Sequence, residues 1–381
     1  MWYPTIQFTF RYVDRAKTVH IWKSTAVTNF VSSPPSTSGP TLDKRSCKSD
    51  QFTITLDPAT PGRYTIEGTY DADTQISLVF DRLAEGWKVG AGPRGGMTYF
   101  GTLAAEGVKG NAPDVASGAD GYAIHRFWPR CAVSGIMRLG GDVLDLAGAR
   151  GVFIHAVQGM RPNLLAARWN FANFQSSEAE GHGVSLTMME FTTTTAYGEK
   201  VINVGSVVVG DKLVSVTAGG SDLVAGVVGS SAEHLDAVID AETDYPAPGK
   251  ISYVWNGHEL VEEGKSIAPG GAKVNATILL DILTSKPGEE YATKGLIEKV
   301  DVLGQIPYLL KKFVNYAAGT KPYIYTVRRH FVCVRQAVLT TFSFDSGSIL
   351  RPLRFRSPRR QLRSKSKDYS STKRHLYRRE L

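Results

Sequence analysis

Residues 6–12 read Ile-Gln-Phe-Thr-Phe-Arg-Tyr. Apolar Ile6, Phe8, Phe10 and Tyr12 alternate with Gln7, Thr9 and Arg11, the period of a strand with one face buried. Similar short runs recur at Phe52–Leu56, Tyr64–Tyr70, Ile76–Phe80 and His125–Val133. Residues 136–146 read as a hairpin turned by Gly140-Gly141, because glycine supplies the positive φ that a two-residue turn requires. Gly210-Asp211 separates Val207–Val209 from Leu213–Val216 in a similar way, and Asn256-Gly257, between Tyr253–Trp255 and Glu259–Val261, is the strongest turn signal of the three. Helical spacing is convincing only in Ile306, Leu309, Leu310, Phe313, Val314 and Ala317, which predicts one short helix. Many short strands with closely spaced turns predict an all-β fold of antiparallel barrels or sandwiches rather than a parallel sheet.

A chain of 381 residues has room for two domains with separate cores. Its composition, 42% hydrophobic and 21% charged, is that of a soluble globular protein. No apolar run approaches the roughly 18–20 residues that cross a bilayer, and no secretory leader is visible. Three cysteines, Cys47, Cys131 and Cys333, form no Cys-x-x-Cys pair, which speaks for a reducing compartment and against a zinc site. The net charge of +8 is unevenly placed: residues 327–381 hold 15 Lys and Arg against Asp345, Asp368 and Glu380. The preceding body carries 29 basic and 33 acidic residues and is mildly acidic. The tail is therefore expected to be basic and disordered. A nucleic-acid partner is not expected, since aromatics are not interleaved with its charges as stacking platforms.

Catalytic motifs fail on context. Gly90-Ala-Gly-Pro-Arg-Gly95 spells a dinucleotide fingerprint, but Pro93 interrupts it and strand-like Met97-Thr-Tyr-Phe100 follows where a helix is needed. His258-Glu259 opens like a zincin helix, but Glu263 stands where the second histidine belongs. No Gly-x-Ser-x-Gly elbow occurs. No cofactor, metal or catalytic residue is expected.

Residues 125–193 concentrate aromatic and methionine side chains on alternating strands. Such a wall either fills a barrel or encloses an apolar ligand. Trp128, Met160, Trp169, Phe174, Met189 and Phe191 are the candidate cavity wall, and Arg130, Arg168 and Glu190 are its polar candidates, paired with one another or holding a ligand head group. An enzyme built on the same scaffold would instead need an acid, such as Glu190 or Asp142, isolated in the cavity.

At these residues the chain resembles the survival factor 1 family. The resemblance rests on His125-Arg-Phe-Trp-Pro-Arg-Cys131, Ala156-Val-Gln-Gly-Met-Arg-Pro162, Ala166-Ala-Arg-Trp-Asn-Phe-Ala-Asn-Phe-Gln175, Met188-Met-Glu-Phe-Thr-Thr193 and Ala318-Gly-Thr-Lys-Pro-Tyr-Ile-Tyr325. It implies two tandem lipocalin-like barrels, at 1–162 (lacking its first strands) and 163–326, with 327–381 a tail outside the family pattern. It also implies a ceramide or similar lipid as partner and transient contact with a membrane surface, weakened here by the missing amphipathic start. Occurrence in cytoplasm and nucleus, ceramide transfer from endoplasmic reticulum to Golgi, and survival under oxidative stress are implied as well. The alternative is a double-lipocalin enzyme of the carotenoid hydratase or cyclase type.

Overall fold

The computed structural model describes residues 7–14, 19–32, 45–89, 95–101, 119–158, 165–176, 183–220, 229–239, 246–263, 266–283, 294–301, 323–328 and 339–344. β1 (Gln7–Asp14) and β2 (Val19–Ala26) form a separate hairpin. A nine-stranded sheet holds β3 (Val31–Ser32), β4 (Cys47–Lys48), β5 (Phe52–Leu56), β6 (Arg63–Asp71), β7 (Thr74–Arg82), β8 (Met97–Gly101), β9 (Ala119–Leu139), β10 (Asp142–Asp145) and β11 (Ala149–Gln158). A four-stranded sheet follows, with β12 (Arg168–Gln175), β13 (Val184–Thr192), β14 (Val201–Val209) and β15 (Lys212–Gly220). β16 (Ser231–Leu235) pairs with β19 (Lys250–Glu263), which pairs with β20 (Ser266–Leu283), and β17 (Val238–Ile239) and β18 (Pro246–Ala247) make a short hairpin. β21 (Lys294–Asp301), β22 (Tyr323–Arg328) and β23 (Leu339–Phe344) complete the β19–β20 sheet. No described ladder joins a strand before residue 158 to one after residue 165.

The all-β class expected from the sequence is what the chain adopts, with antiparallel ladders throughout the described sheets except the parallel β20–β21 pair. The alternating runs became β1, β5, β6, β7 and part of β9, and Gly140 and Gly210 turn their hairpins at φ of 64° and 63°. The helix expected over 306–317 lies outside the described residues. Within the stretch expected to be a disordered tail, Leu339–Phe344 is a strand paired with β20. Its Leu-Thr-Thr-Phe-Ser-Phe sequence mixes apolar and hydroxyl residues without charge, a strand signal that the flanking arginines outweighed.

Asn256-Gly257 is not a turn: both residues lie inside β19, which runs on to Glu263 and turns back there into β20. The glycine serves close approach instead. A Cβ on Gly257 would fall 2.2 Å from Ser215 Oγ and 3.0 Å from Thr217 Cγ2, so β15 crosses β19 over a residue without a side chain. The ladder also shifts register between His258 and Leu260, a second mark of a local irregularity.

β9 is the hinge of the packing. Gly151 faces Cys131 while Phe153 faces Trp128, so Pro129 and Arg130 oppose a single residue and form a bulge. The bulge changes which residues point inward. On its N-terminal side Ala123 and Phe127 pack with Met189, Phe191, Val208, Leu213 and Val216 of the four-stranded sheet. At and beyond it, Trp128 and Cys131 pack with Leu56 and Tyr64 inside the nine-stranded sheet.

Candidate functional site

Two apolar faces differ in how completely they are filled. The inner face of the four-stranded sheet closes on β19 and β20 through Phe174, Leu186, Met188, Val207, Trp255 and Val274, none more than 6% exposed. Trp255 Nε1 donates to the Thr187 carbonyl at 2.9 Å, so its indole is both packed and satisfied. That space is occupied by the protein's own side chains.

The inner face of the nine-stranded sheet is different. The ladders align Ile54 with Ile66 and Ile66 with Leu78, and they align Leu56, Tyr64, Phe80 and Val133 in the next row. Thr55, Thr65, Val79 and Ser134 alternate with them on the other face, as a half-buried sheet requires. Leu56, Tyr64 and Trp128 are buried, and Tyr64 stacks on Phe153 with ring centroids 4.1 Å apart. Yet Ile54, Ile66, Leu78, Phe80, Met137 and Phe153 are only half-buried. These rows form an apolar wall that no described residue covers fully, the kind of surface that marks a binding site.

The sequence-predicted wall does not converge on one place. Trp128 belongs to this inner face, with Arg82 lying 5.4 Å over its ring. Phe174 belongs to the filled core of the second sheet pair. Met189 and Phe191 lie in the seam between the four-stranded sheet and β9, and Trp169, 36% exposed, stacks on Phe191 at 5.3 Å. Met160 lies outside the described residues. His125 joins the seam, 6.0 Å from the Trp169 ring, and burial pushes its pKa down to about 4. The seam is held by hydrogen bonds as well as by rings: Ser185 Oγ donates to the Pro129 carbonyl at 2.7 Å, and Gln175 Nε2 to that of Gly151 at 2.9 Å.

The polar candidates also separate. Glu190 is buried and accepts from Asn170 Nδ2 at 3.2 Å, Asn203 Nδ2 at 3.0 Å and the Ala232 backbone N–H at 3.1 Å. Asn170 Oδ1 in turn faces His234 Nε2 at 2.7 Å. Because the Asn170 amide nitrogen is committed to Glu190, its oxygen must accept, which places the proton of His234 on Nε2. Burial and the nearby Arg168 charge hold His234 below its usual pKa. Arg168 itself is exposed, whereas Arg130 is fully buried in the β9 bulge. Glu190 is therefore a structural anchor: it satisfies the outward N–H of β16, whose ladder partner β19 lies on the other edge. It is not the isolated acid that an enzyme on this scaffold would need. Among the described residues no three His, Cys, Asp or Glu side chains gather as a metal site.

The half-buried wall itself was not singled out from the sequence. Its signal in the sequence is the set of period-2 runs Phe52–Leu56, Tyr64–Tyr70 and Ile76–Phe80, which assign a face but not how fully that face is covered.

Comparison with known proteins places the chain among fungal relatives. The profile of the Svf1 family matches residues 1–337. A protein of Aspergillus fumigatus named ceramide-binding protein svf1 is 33% identical over 310 residues, covering 81% of this chain and 63% of its own. Ceramide-binding protein SVF1 of Eremothecium gossypii is 31% identical over 322 residues, 84% of this chain and 70% of its own. The chain thus spans under two thirds of the Aspergillus fumigatus protein's length. Among solved structures, kievitone hydratase from Nectria haematococca covers 72% of this chain and 75% of its own at 10% identity, with a TM-score of 0.39, a likeness too distant to bear on activity.

Proposed function

The chain belongs to the Svf1 family, and from that membership we propose that it binds a ceramide-class lipid on the inner face of the nine-stranded sheet. Relatives named as ceramide-binding proteins support a lipid as the cargo. The observation that carries the location is the row Ile54, Ile66 and Leu78 with Phe80 of the next row, apolar, contiguous and only half-buried, beside the filled core of the second sheet pair. Each methylene of a lipid chain moved from water onto such a wall contributes ~0.8 kcal/mol, so two long chains are held without covalent chemistry. Trp128, Tyr64 and Phe153 form the deep aromatic end of that wall.

The finer reading, carried by family resemblance, is a two-domain carrier divided near 162/163. It moves its cargo from endoplasmic reticulum to Golgi membranes, occurs in cytoplasm and nucleus, and supports survival under oxidative stress. Binding is favoured over catalysis because the buried carboxylate in the aromatic region, Glu190, is occupied by three N–H donors.

The experiment is extraction of purified protein with organic solvent, before and after incubation with ceramide vesicles, followed by mass spectrometry. Ceramide is expected in both extracts. Ile66→Asn and Leu78→Asn, which set an amide on the wall, are expected to lower loading about tenfold. Absence of lipid from the wild-type protein in both extracts refutes the reading. Loss of loading in Trp169→Ala, with Ile66→Asn unaffected, would move the cargo to the seam.

A further inference from the structure

We propose that the β1–β2 hairpin is a gate over the lipid wall, hinged at Thr28-Asn29 and latched by the Phe8 ring above Gly68. The inference rests on the lipid reading above, because a gate has meaning only if cargo passes it.

The hairpin forms its own two-stranded sheet and shares no described ladder with the nine-stranded sheet. An isolated two-stranded hairpin is marginal in water, so its seat on the larger sheet decides where it rests. That seat is made of side chains. The Phe8 ring lies 4.8 Å from the Phe52 ring and stacks on Tyr70 at 4.0 Å, while Phe10 lies 5.4 Å from Tyr70. A Cβ on Gly68 would fall 2.5 Å from the tip of Phe8, so the ring occupies the place a side chain would take. Phe52, Gly68 and Ile76 share one row of the inner face, next to the row of Ile54, Ile66 and Leu78. The hairpin therefore sits at one end of the proposed lipid wall. Lys23 pairs with Asp71 at its outer margin, in a partly exposed contact of little strength.

The end of the hairpin is tethered. Asp50 Oδ2 accepts from Thr28 Oγ1 and from Asn29 Nδ2, both at 2.7 Å, and Gln51 Oε1 accepts from the Thr28 N–H at 2.9 Å. Asn29 takes a left-handed φ of 52°, so the chain reverses there. A segment fixed at its base by polar bonds and elsewhere by rings in a slot swings about the base when the rings leave.

The closed seat also carries a cost. Among the described residues the buried Tyr70 hydroxyl has no hydrogen-bond partner, and burial raises its pKa. Lifting the hairpin gives that hydroxyl water or a lipid's polar group, which offsets part of the loss of ring packing. The latch is thus apolar and strong enough to close, and the orphaned phenol keeps it from closing permanently.

The test is stopped-flow uptake of a fluorescent ceramide from phosphatidylcholine vesicles by the full chain. Phe8→Ala empties the slot above Gly68 and is expected to load roughly tenfold faster. Tyr70→Phe removes the orphaned hydroxyl and keeps the rings, so it is expected to load about tenfold more slowly with unchanged final occupancy. Tyr70→Phe removes no buried carbon and serves alone if Phe8→Ala does not fold. Uptake by Tyr70→Phe at the wild-type rate and occupancy overturns the gate and leaves the lipid reading standing. Faster uptake by Tyr70→Phe also overturns it. Failure of the wild-type chain and both variants to load overturns the lipid reading and the gate with it.

Discussion

Replacing Glu190 separates its role as an anchor from any role in chemistry. Glu190 is 7% exposed, and its carboxylate accepts from Asn170, Asn203 and the Ala232 N–H at 3.2, 3.0 and 3.1 Å. Glu190→Ala leaves three buried donors without an acceptor. Each costs about 1–3 kcal/mol if it stays dry, and partial hydration through the new space lowers the sum, so the expected loss is about 4 kcal/mol. Glu190→Gln keeps the shape but turns one acceptor oxygen into a donor facing donors, for roughly 2 kcal/mol. Chemical denaturation measures both. Native-state hydrogen exchange gives the location, because the Ala232 amide is expected to lose protection ahead of the β14–β15 ladder. The reasoning is refuted if Glu190→Ala stays within about 1 kcal/mol of wild type, or if Glu190→Gln keeps full stability and the Ala232 amide keeps its protection.

Two further outcomes follow from the packing. Gly257→Ala drives a methyl to within 2.2 Å of Ser215 Oγ, whose hydroxyl bonds the His258 carbonyl at 2.8 Å, and is expected to cost about 2 kcal/mol by thermal denaturation. Part of that loss should return in the Ser215→Ala background, and a neutral single variant would mean that β15 and β19 are not this close. His125, buried to a pKa of about 4, is neutral in the folded seam, whereas an unfolded histidine titrates near 6.5. Between these values the unfolded chain binds more protons, so stability falls as pH drops from about 6.5 toward 4, by roughly 2 kcal/mol for this group. His125→Phe should flatten that part of a stability-against-pH curve, and an unchanged slope would remove His125 as its cause.

Ile54, Ile66, Leu78 and Phe80 show what the sequence by itself determined. A strand repeats every two residues, so alternation alone assigns one face of β5, β6 and β7 to apolar contact, and Gly140 and Gly210 alone mark where such strands turn. The family motifs at 125–193 likewise identified the lineage. What no local pattern contains is which apolar face is filled. Phe174 and Phe80 both sit on alternating strands, yet one is sealed against Trp255 and Val274 and the other stays half-open. Alternation sends Phe127 to the second sheet and Trp128 inward, and the bulge at Pro129-Arg130 then shifts the parity so that Cys131, an odd-numbered residue like Phe127, joins Trp128. Asn256-Gly257 reads as a turn until β15 is known to cross over it. Periodicity is a property of one strand, whereas filling, crossing and parity depend on residues far apart in the chain, and only the folded ladders bring those together.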